Sequence, residues 1–141
     1  MLKMLNRDNV VHYCKKSDID RWCEAVLNSG VTRMALDTEW RTERRFNNGP
    51  GKKVGKVAVI SLSFLDPEAP TNLVSIDDLV PFCRVGVFQV SGLLALPERL
   101  KQLLETPTVT KTGTLCLVVY CSFCDTSHHV LSSVTRYIHV R

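Results

Sequence analysis

One ten-residue stretch restricts the fold of this chain more than any other. Residues 56–65 contain alternating apolar and small side chains, and no charged residue follows Lys56 within the stretch. The branched residues Val57, Val59 and Ile60 favour an extended strand. Because a strand with so few polar side chains cannot face water on either side, the pattern predicts a central and largely buried strand.

Two amphipathic helices are predicted from apolar residues at helical spacing. The first has Ser17 as its N-cap and ends at the turn of residues 28–30. The second begins at Pro97, a residue suited to the first helical position, and is closed by Pro107. The apolar positions of the two helices are Ile19, Trp22, Cys23, Val26, Leu27, Leu96, Leu100, Leu103 and Leu104.

Four further strands are predicted around the central one, at residues 10–13, 34–40, 72–76 and 108–110. The breaker at residues 66–70 is short, so the strand at residues 72–76 is expected to lie antiparallel beside the central strand. The element order is strand, helix, three strands, helix, strand. This order predicts an α/β protein with a mixed sheet and helices packed against it.

Length and composition narrow the class of protein. A chain of 141 residues, 45% hydrophobic and 23% charged, suits one globular domain. Residues 1–8 do not resemble a secretory signal, so the six cysteines are expected to be reduced thiols of an intracellular protein. The longest apolar run, residues 115–123, is shorter than the about 20 residues that span a bilayer, so no membrane segment is predicted.

A pair of carboxylates lies near the end of the second predicted strand. Asp37 and Glu39 are two residues apart, so an extended strand projects both side chains to one face. Two adjacent carboxylates repel each other, and a divalent cation such as Mg²⁺, which prefers oxygen ligands, relieves the repulsion. Both residues are therefore candidate metal ligands, although an isolated Asp-x-Glu also occurs at strand ends that simply face water.

Basic residues are concentrated directly after the acidic strand. Residues 41–56 carry six basic side chains against the single acid Glu43, a net charge of +5. A basic loop at this place suits a ligand with a phosphate backbone, and a solvated charged loop explains it equally well. The candidate substrate-binding residues of this loop are Arg41, Arg44, Arg45, Lys52 and Lys53.

The order of four blocks resembles a known family of nucleases. The blocks are residues 36–40 (LDTEW), 57–62 (VAVISL), 96–104 (LPERLKQLL) and 110–113 (TKTG). Together they are similar to the 3′–5′ exonuclease domain of the DEDD superfamily, in the ribonuclease D and Werner-syndrome exonuclease branch. No single block is specific; their order and spacing carry the resemblance, which covers residues 10–113.

The resemblance implies a ribonuclease H-like fold and metal-dependent removal of nucleotides from the 3′ ends of DNA or RNA. In the family, four acids hold two divalent ions, Mg²⁺ or Mn²⁺. Asp37 and Glu39 match the first motif: Asp37 would bind both ions, and Glu39 would bind one ion and help position the attacking water. Thr38 and Trp40 would flank the site and contact the terminal nucleotide. The resemblance alone also implies a nuclear location, and a cytoplasmic location stays open.

The chain departs from the family pattern after Gly113. The position of the third acid falls at Val119, and Asp125 is out of register. The final motif, a tyrosine or histidine four residues before an aspartate, is also unmatched, because Tyr137 precedes Arg141 at that spacing. The metal site implied by the resemblance is therefore incomplete.

The domain organisation follows from this departure. Residues 1–113 are interpreted as a partial exonuclease domain, in which residues 81–95 look like an insertion between a strand and a helix. Residues 114–141 form a divergent tail, for which an unspliced intron, a frameshift or a gene-model error is the working hypothesis. A partial domain would leave apolar sheet surface uncovered, which predicts self-association.

Two other classes of function stay open. The missing acids favour a catalytically inactive nucleic-acid-binding or interaction fragment. The tail also contains one Cys-x-x-Cys pair and nearby histidines, residue types that bind Zn²⁺ in tetrahedral sites, but it lacks a second pair. The candidate ligands of such a zinc module are Cys116, Cys121, Cys124, His128 and His129.

Overall fold

The computed structural model describes residues 7–40 and 57–113, which form five strands, three α-helices and two short 3₁₀ helices. The elements are β1 (Val10–Tyr13), α1 (Lys16–Leu27), β2 (Arg33–Trp40), β3 (Val57–Leu65), α2 (Ile76–Leu79), β4 (Cys83–Gln89), α3 (Glu98–Glu105) and β5 (Thr110–Thr112). None of the described helices is long and apolar enough to cross a membrane.

The strands form one mixed sheet in the order β1-β4-β3-β2-β5. The central strand β3 is antiparallel to its neighbours β2 and β4, whereas β1 pairs in parallel with β4 and β5 in parallel with β2. Parallel strands need crossover connections, and α1 and α3 lie in the connections from β1 to β2 and from β4 to β5. The predicted α/β fold with a mixed sheet is confirmed.

Both long helices pack on the same face of the sheet. Alternate residues of β2, β3 and β4 are buried there, because successive side chains of a strand point to opposite faces. Burial of each large apolar side chain contributes roughly 1.5–3 kcal/mol, so this layer supplies most of the stability. The core consists of Ile19, Cys23, Val26, Val31, Met34, Leu36, Val57, Ile60, Leu62, Phe88, Val90, Leu100, Leu103, Leu104 and Val109.

The ends of the helices differ in detail from the predictions. The N-cap of α1 is Lys15 and not the predicted Ser17. Lys15 has an extended backbone (φ −97°, ψ 135°), and its carbonyl oxygen accepts the Ile19 N–H at 3.1 Å, so the helix starts earlier than predicted. The turn at residues 28–30 ends α1 as predicted, with Gly30 in the left-handed region at φ 81°. Pro97 is the N-cap of α3 rather than its first helical residue.

The prediction of a strand at residues 72–76 is wrong. This segment is a turn followed by α2, and the Ser75 hydroxyl accepts the Asp78 N–H at 3.2 Å as an N-cap. Val74 is 95% exposed and Ile76 is 77% exposed, so their apolar side chains are not buried in a sheet. The local cap therefore outweighs the β propensity of these residues.

The second antiparallel partner of β3 comes instead from residues 81–95, the segment interpreted from sequence as an insertion. It contains β4, which lies between β1 and β3 and buries Phe88 completely. A Cβ atom added at Gly86 would lie 2.6 Å from the Phe88 ring and 2.9 Å from the Trp22 ring. Strand β4 is thus an internal strand of the sheet, closely packed under α1.

Three predicted strands, at residues 10–13, 34–40 and 56–65, are confirmed as β1, β2 and β3. The last predicted strand lies two residues further along the chain, as β5.

Candidate metal site at the end of strand β2

Strand β2 places Asp37 and Glu39 on the face of the sheet that lies opposite α1 and α3. Met34 and Leu36 are buried in the core, whereas Asp37 and Glu39 are exposed. This alternation is the two-residue period of a strand, and it directs both carboxylates to the same side. We call this side of the sheet the open face, because none of the described elements covers it.

The two acids lie where regular pairing of β2 ends. Glu39 is paired with Val59, but Trp40 is paired with Val57, so a bulge interrupts the ladder between Glu39 and Trp40. A bulge increases the local twist and re-aims the chain that follows. The irregularity in the ladder therefore lies directly beside the two carboxylates.

Neighbouring strands supply the remaining side chains of the open face. In the register of the sheet, Asp37 is opposite Ser61, and Ser61 is opposite Val87 of β4. Glu39 is opposite Val59, which in turn is opposite Gln89. The other residues that the register places on this face are Val10, His12, Arg33, Ala35, Ser63, Leu65, Cys83, Val85, Thr110 and Thr112.

The carboxylates have few interactions within the described chain. One oxygen of Asp37, Oδ1, accepts the backbone N–H of Thr38 at 2.9 Å. The Glu39 carboxylate makes no hydrogen bond or ion pair with residues 7–40 or 57–113, although the Glu39 backbone is paired with Val59. Both side chains are exposed, so their oxygens are accessible to a ligand.

The donor set suits a hydrated hard cation. Mg²⁺ is usually bound by one or two carboxylates while it keeps several waters, so Asp37 and Glu39 are a chemically appropriate pair. Within residues 7–40 and 57–113, no group of three or more His, Cys, Asp or Glu side chains could hold a metal ion. The described part of the chain thus offers a partial site, not a closed protein cage.

Thr38 lies between the acids in sequence but not in space. The strand period directs its side chain to the helix-covered face, where the Oγ1 atom is buried without a hydrogen-bond partner. Because this hydroxyl is buried, a contact of Thr38 with a nucleotide on the open face could involve only the Thr38 backbone. Its N–H already holds Asp37.

Several predicted site residues lie outside the described part of the chain. They are the basic residues Arg41, Arg44, Arg45, Lys52 and Lys53, the side chain of Trp40, and the zinc candidates Cys116, Cys121, Cys124, His128 and His129.

Lys111, from the last of the four sequence blocks, is not part of this site. It lies on the helix-covered face opposite Met34 and is 3% exposed. Its Nζ donates a hydrogen bond to the Thr106 carbonyl oxygen. Burial lowers the pKa of Lys111 to about 8.

A groove of about 270 Å³ lies on the helix-covered side of the sheet, away from the acids. Trp22 and Val26 of α1 line it together with Phe64 of β3. At its rim, Arg84 Nη2 lies 3.2 Å from Asp66 Oδ2. Asp37 and Glu39 do not contribute to its walls.

Ser61, which the structure places directly across from Asp37, is not among the site residues predicted from sequence. The signal was present in the alternation of residues 57–65, where serine replaces valine on the open face. Which residue lies opposite that serine depends on the register of the sheet, which the alternation alone does not specify.

Comparison with known proteins identifies similar solved structures. No protein-family model matches the chain, and no curated protein matches it. The EXD2 exonuclease domain is similar with a TM-score of 0.52 and 14% identity, over 82% of this chain and 51% of that chain. RNase D of Trypanosoma brucei is similar with a TM-score of 0.51 and 16% identity, over 80% of this chain and 32% of that chain.

Identities this low show the fold alone. The chain spans only about half of the EXD2 exonuclease domain and about a third of the RNase D structure. The resemblance predicted from the four sequence blocks is confirmed at this level. The described chain has a mixed α/β fold similar to that of part of these two structures.

Proposed function

We propose that this chain carries the first metal-binding motif of a 3′–5′ exonuclease and acts on nucleic-acid 3′ ends with Mg²⁺ or Mn²⁺. The observation that supports the proposal is the placement of two exposed carboxylates, Asp37 and Glu39, side by side on the open face of an exonuclease-type sheet. The names of the two similar structures, an exonuclease domain and a ribonuclease, agree with this chemistry.

The geometry of β2 suits the proposed role. Residues two apart in a strand have Cα atoms separated by about 7 Å, a spacing at which two carboxylates can share a hydrated cation. Asp37 is held on one oxygen by the Thr38 N–H, so its carboxylate is partly oriented before a ligand arrives. A bound divalent ion would activate water and stabilise the leaving oxygen of the phosphodiester.

Charge in the sequence supports a nucleic-acid substrate. Residues 41–56, which follow the two carboxylates in the sequence, carry a net charge of +5. Cationic side chains bind the phosphates of DNA or RNA whatever the base sequence. We propose that a set of basic residues binds the phosphate backbone of the DNA or RNA strand whose 3′ end lies at Asp37 and Glu39. These residues are Arg41, Arg44, Arg45, Lys52 and Lys53.

Nucleic-acid binding without hydrolysis is the second candidate function. It is favoured because no group of three or more His, Cys, Asp or Glu side chains in the described residues could hold a metal ion, and two-metal hydrolysis usually requires more than two ligands. A third candidate, a zinc module formed by residues of the tail, would be tested by zinc analysis of the purified chain.

Digestion of 5′-labelled single-stranded RNA and DNA in Mg²⁺ tests the first two candidates. We expect shortening from the 3′ end by the wild-type chain and at least a hundredfold less, about 3 kcal/mol in transition-state free energy, by Asp37→Ala. Asp77→Ala, which removes an exposed carboxylate from α2, is the matched control and should digest like the wild type.

Binding of the oligonucleotide without shortening would assign the chain to the second candidate. A wild-type chain that neither binds nor shortens the oligonucleotide would reject both candidate functions. Digestion that is unchanged in Asp37→Ala would reject the proposed site.

A further inference from the structure

Ser61 faces Asp37 across the β2–β3 pair. The two residues are directly opposite each other in an antiparallel ladder, which brings their Cβ atoms to within about 4.5–5.5 Å. Opposite residues point to the same side of a sheet, so both side chains lie on the open face. A serine hydroxyl at this separation can reach a carboxylate oxygen.

Both side chains have unused hydrogen-bonding capacity. Asp37 Oδ1 accepts the Thr38 N–H, while Oδ2 accepts no hydrogen bond from residues 7–40 or 57–113. The half-buried Ser61 hydroxyl has no hydrogen-bond partner in the same part of the chain. A carboxylate has about four acceptor sites, so hydrogen bonds from Thr38 and Ser61 would leave two for a cation.

We propose that Ser61 is a positioning residue for Asp37. When a cation binds, the Ser61 hydroxyl, which makes no hydrogen bond to Asp37 in the structure, turns to donate one to Oδ2 and holds the carboxylate in the orientation that binds the ion. The inference rests on the proposed function of Asp37 as a metal ligand. Groups that orient a metal ligand typically change metal affinity by about 10–100-fold when removed.

Ser63 is a close internal control. It lies on the same strand and the same face and is also half-buried, but it is opposite Ala35 instead of an acid. Replacing either serine with alanine removes one hydroxyl from the same strand. Only the loss of the Ser61 hydroxyl should affect a carboxylate.

The experiment is a titration of the whole chain with Mn²⁺ alone, in which free Mn²⁺ is measured by electron paramagnetic resonance. We expect Ser61→Ala to weaken Mn²⁺ binding about tenfold. Ser61→Thr, which keeps the hydroxyl, should bind close to the wild-type affinity, and Ser63→Ala should bind like the wild type. Thermal unfolding of every variant shows whether the sheet is intact.

The outcomes separate this inference from the proposed function. If Asp37→Ala abolishes Mn²⁺ binding but Ser61→Ala binds like the wild type, the metal site stands and the role of Ser61 is rejected. Equal weakening in Ser61→Ala and Ser63→Ala also rejects it, because the cause is then a general change in the strand. Absence of binding by the wild type, or binding that survives in Asp37→Ala, overturns both.

Discussion

Lys111 shows how a single buried charge opposes the stability of this sheet. It is 3% exposed and forms no ion pair with a described carboxylate; its Nζ donates to the Thr106 carbonyl oxygen. Water solvates an ammonium group better than a protein interior does, so desolvation lowers the pKa of Lys111 from 10.5 to about 8. The unfolded chain therefore binds this proton more tightly than the folded chain.

The sign of this shift predicts the pH dependence of stability. Because the folded pKa lies below the unfolded value, the free energy of unfolding should rise between about pH 8 and 10.5, by up to roughly 3 kcal/mol from this group. Below about pH 8 the full cost of burying the charge remains. Urea unfolding across this pH range measures the effect.

Lys111→Met isolates the contribution of this residue. The Thr106 carbonyl oxygen would keep the Val109 N–H at 3.3 Å, so the substitution leaves no unpaired acceptor. We expect the variant to be more stable near neutral pH and to lack most of the rise. Lys101→Met, at an exposed position of α3, should follow the wild-type curve. A Lys111→Met curve parallel to the wild type would contradict the prediction.

At the level of elements, α3 receives its N-terminal cap from another helix. Its N-cap residue, Pro97, has no side chain that accepts hydrogen bonds. Asp20 of α1 replaces it, because Oδ1 accepts the Arg99 N–H at 2.8 Å. The sequence places Asp20 only in the first half of α1; that it caps a second helix follows from the contact between α1 and α3.

Asp20→Ala should therefore destabilise the fold by about 1 kcal/mol, the usual cost of removing an N-cap acceptor. Chemical unfolding of the variant measures the loss. Glu24→Ala is the matched control, since it removes the exposed ion pair of Glu24 with Arg99, at 3.3 Å, and leaves the cap in place. The control should cost less than about 0.5 kcal/mol. Equal losses in the two variants would show that the cap is not the source.

For the molecule as a whole, the asymmetry of the sheet is the main feature. One face is covered by α1 and α3, while none of the described elements covers the other. Valines at positions 10, 59, 85 and 87 contribute apolar surface to that open face, and Val10 is 38% exposed. Contiguous apolar surface of this kind favours association.

We therefore expect concentration-dependent self-association of the purified chain, measured by sedimentation velocity. Val10→Lys should reduce it, because a lysine on edge strand β1 places a charge on the open face and hinders edge-to-edge pairing. Leu94→Lys, at a fully exposed position outside the sheet, is the control and should associate like the wild type. A monomer at every concentration tested would contradict the prediction.

Local patterns in the sequence predicted the elements that carry the acids. The two-residue alternation of residues 34–40 and 57–65 and the helical spacing of the leucines in α3 depend only on backbone geometry, so they could be read directly. The same patterns failed at residues 72–76, where a serine cap competes with branched residues, and at residues 81–95, where apolar residues and a glycine do not reveal a strand.

The sequence by itself determined that Asp37 and Glu39 share one face of a strand and that a central strand is buried. Only the tertiary structure decided that β4 is the second neighbour of β3, that Asp20 caps α3 and that Ser61 lies opposite Asp37. The physical reason is the distance along the sequence over which each feature is determined. The direction of a side chain is set locally, by the backbone of its own strand. Pairing and register, in contrast, depend on which distant residues, such as Phe88 and Trp22, bury one another.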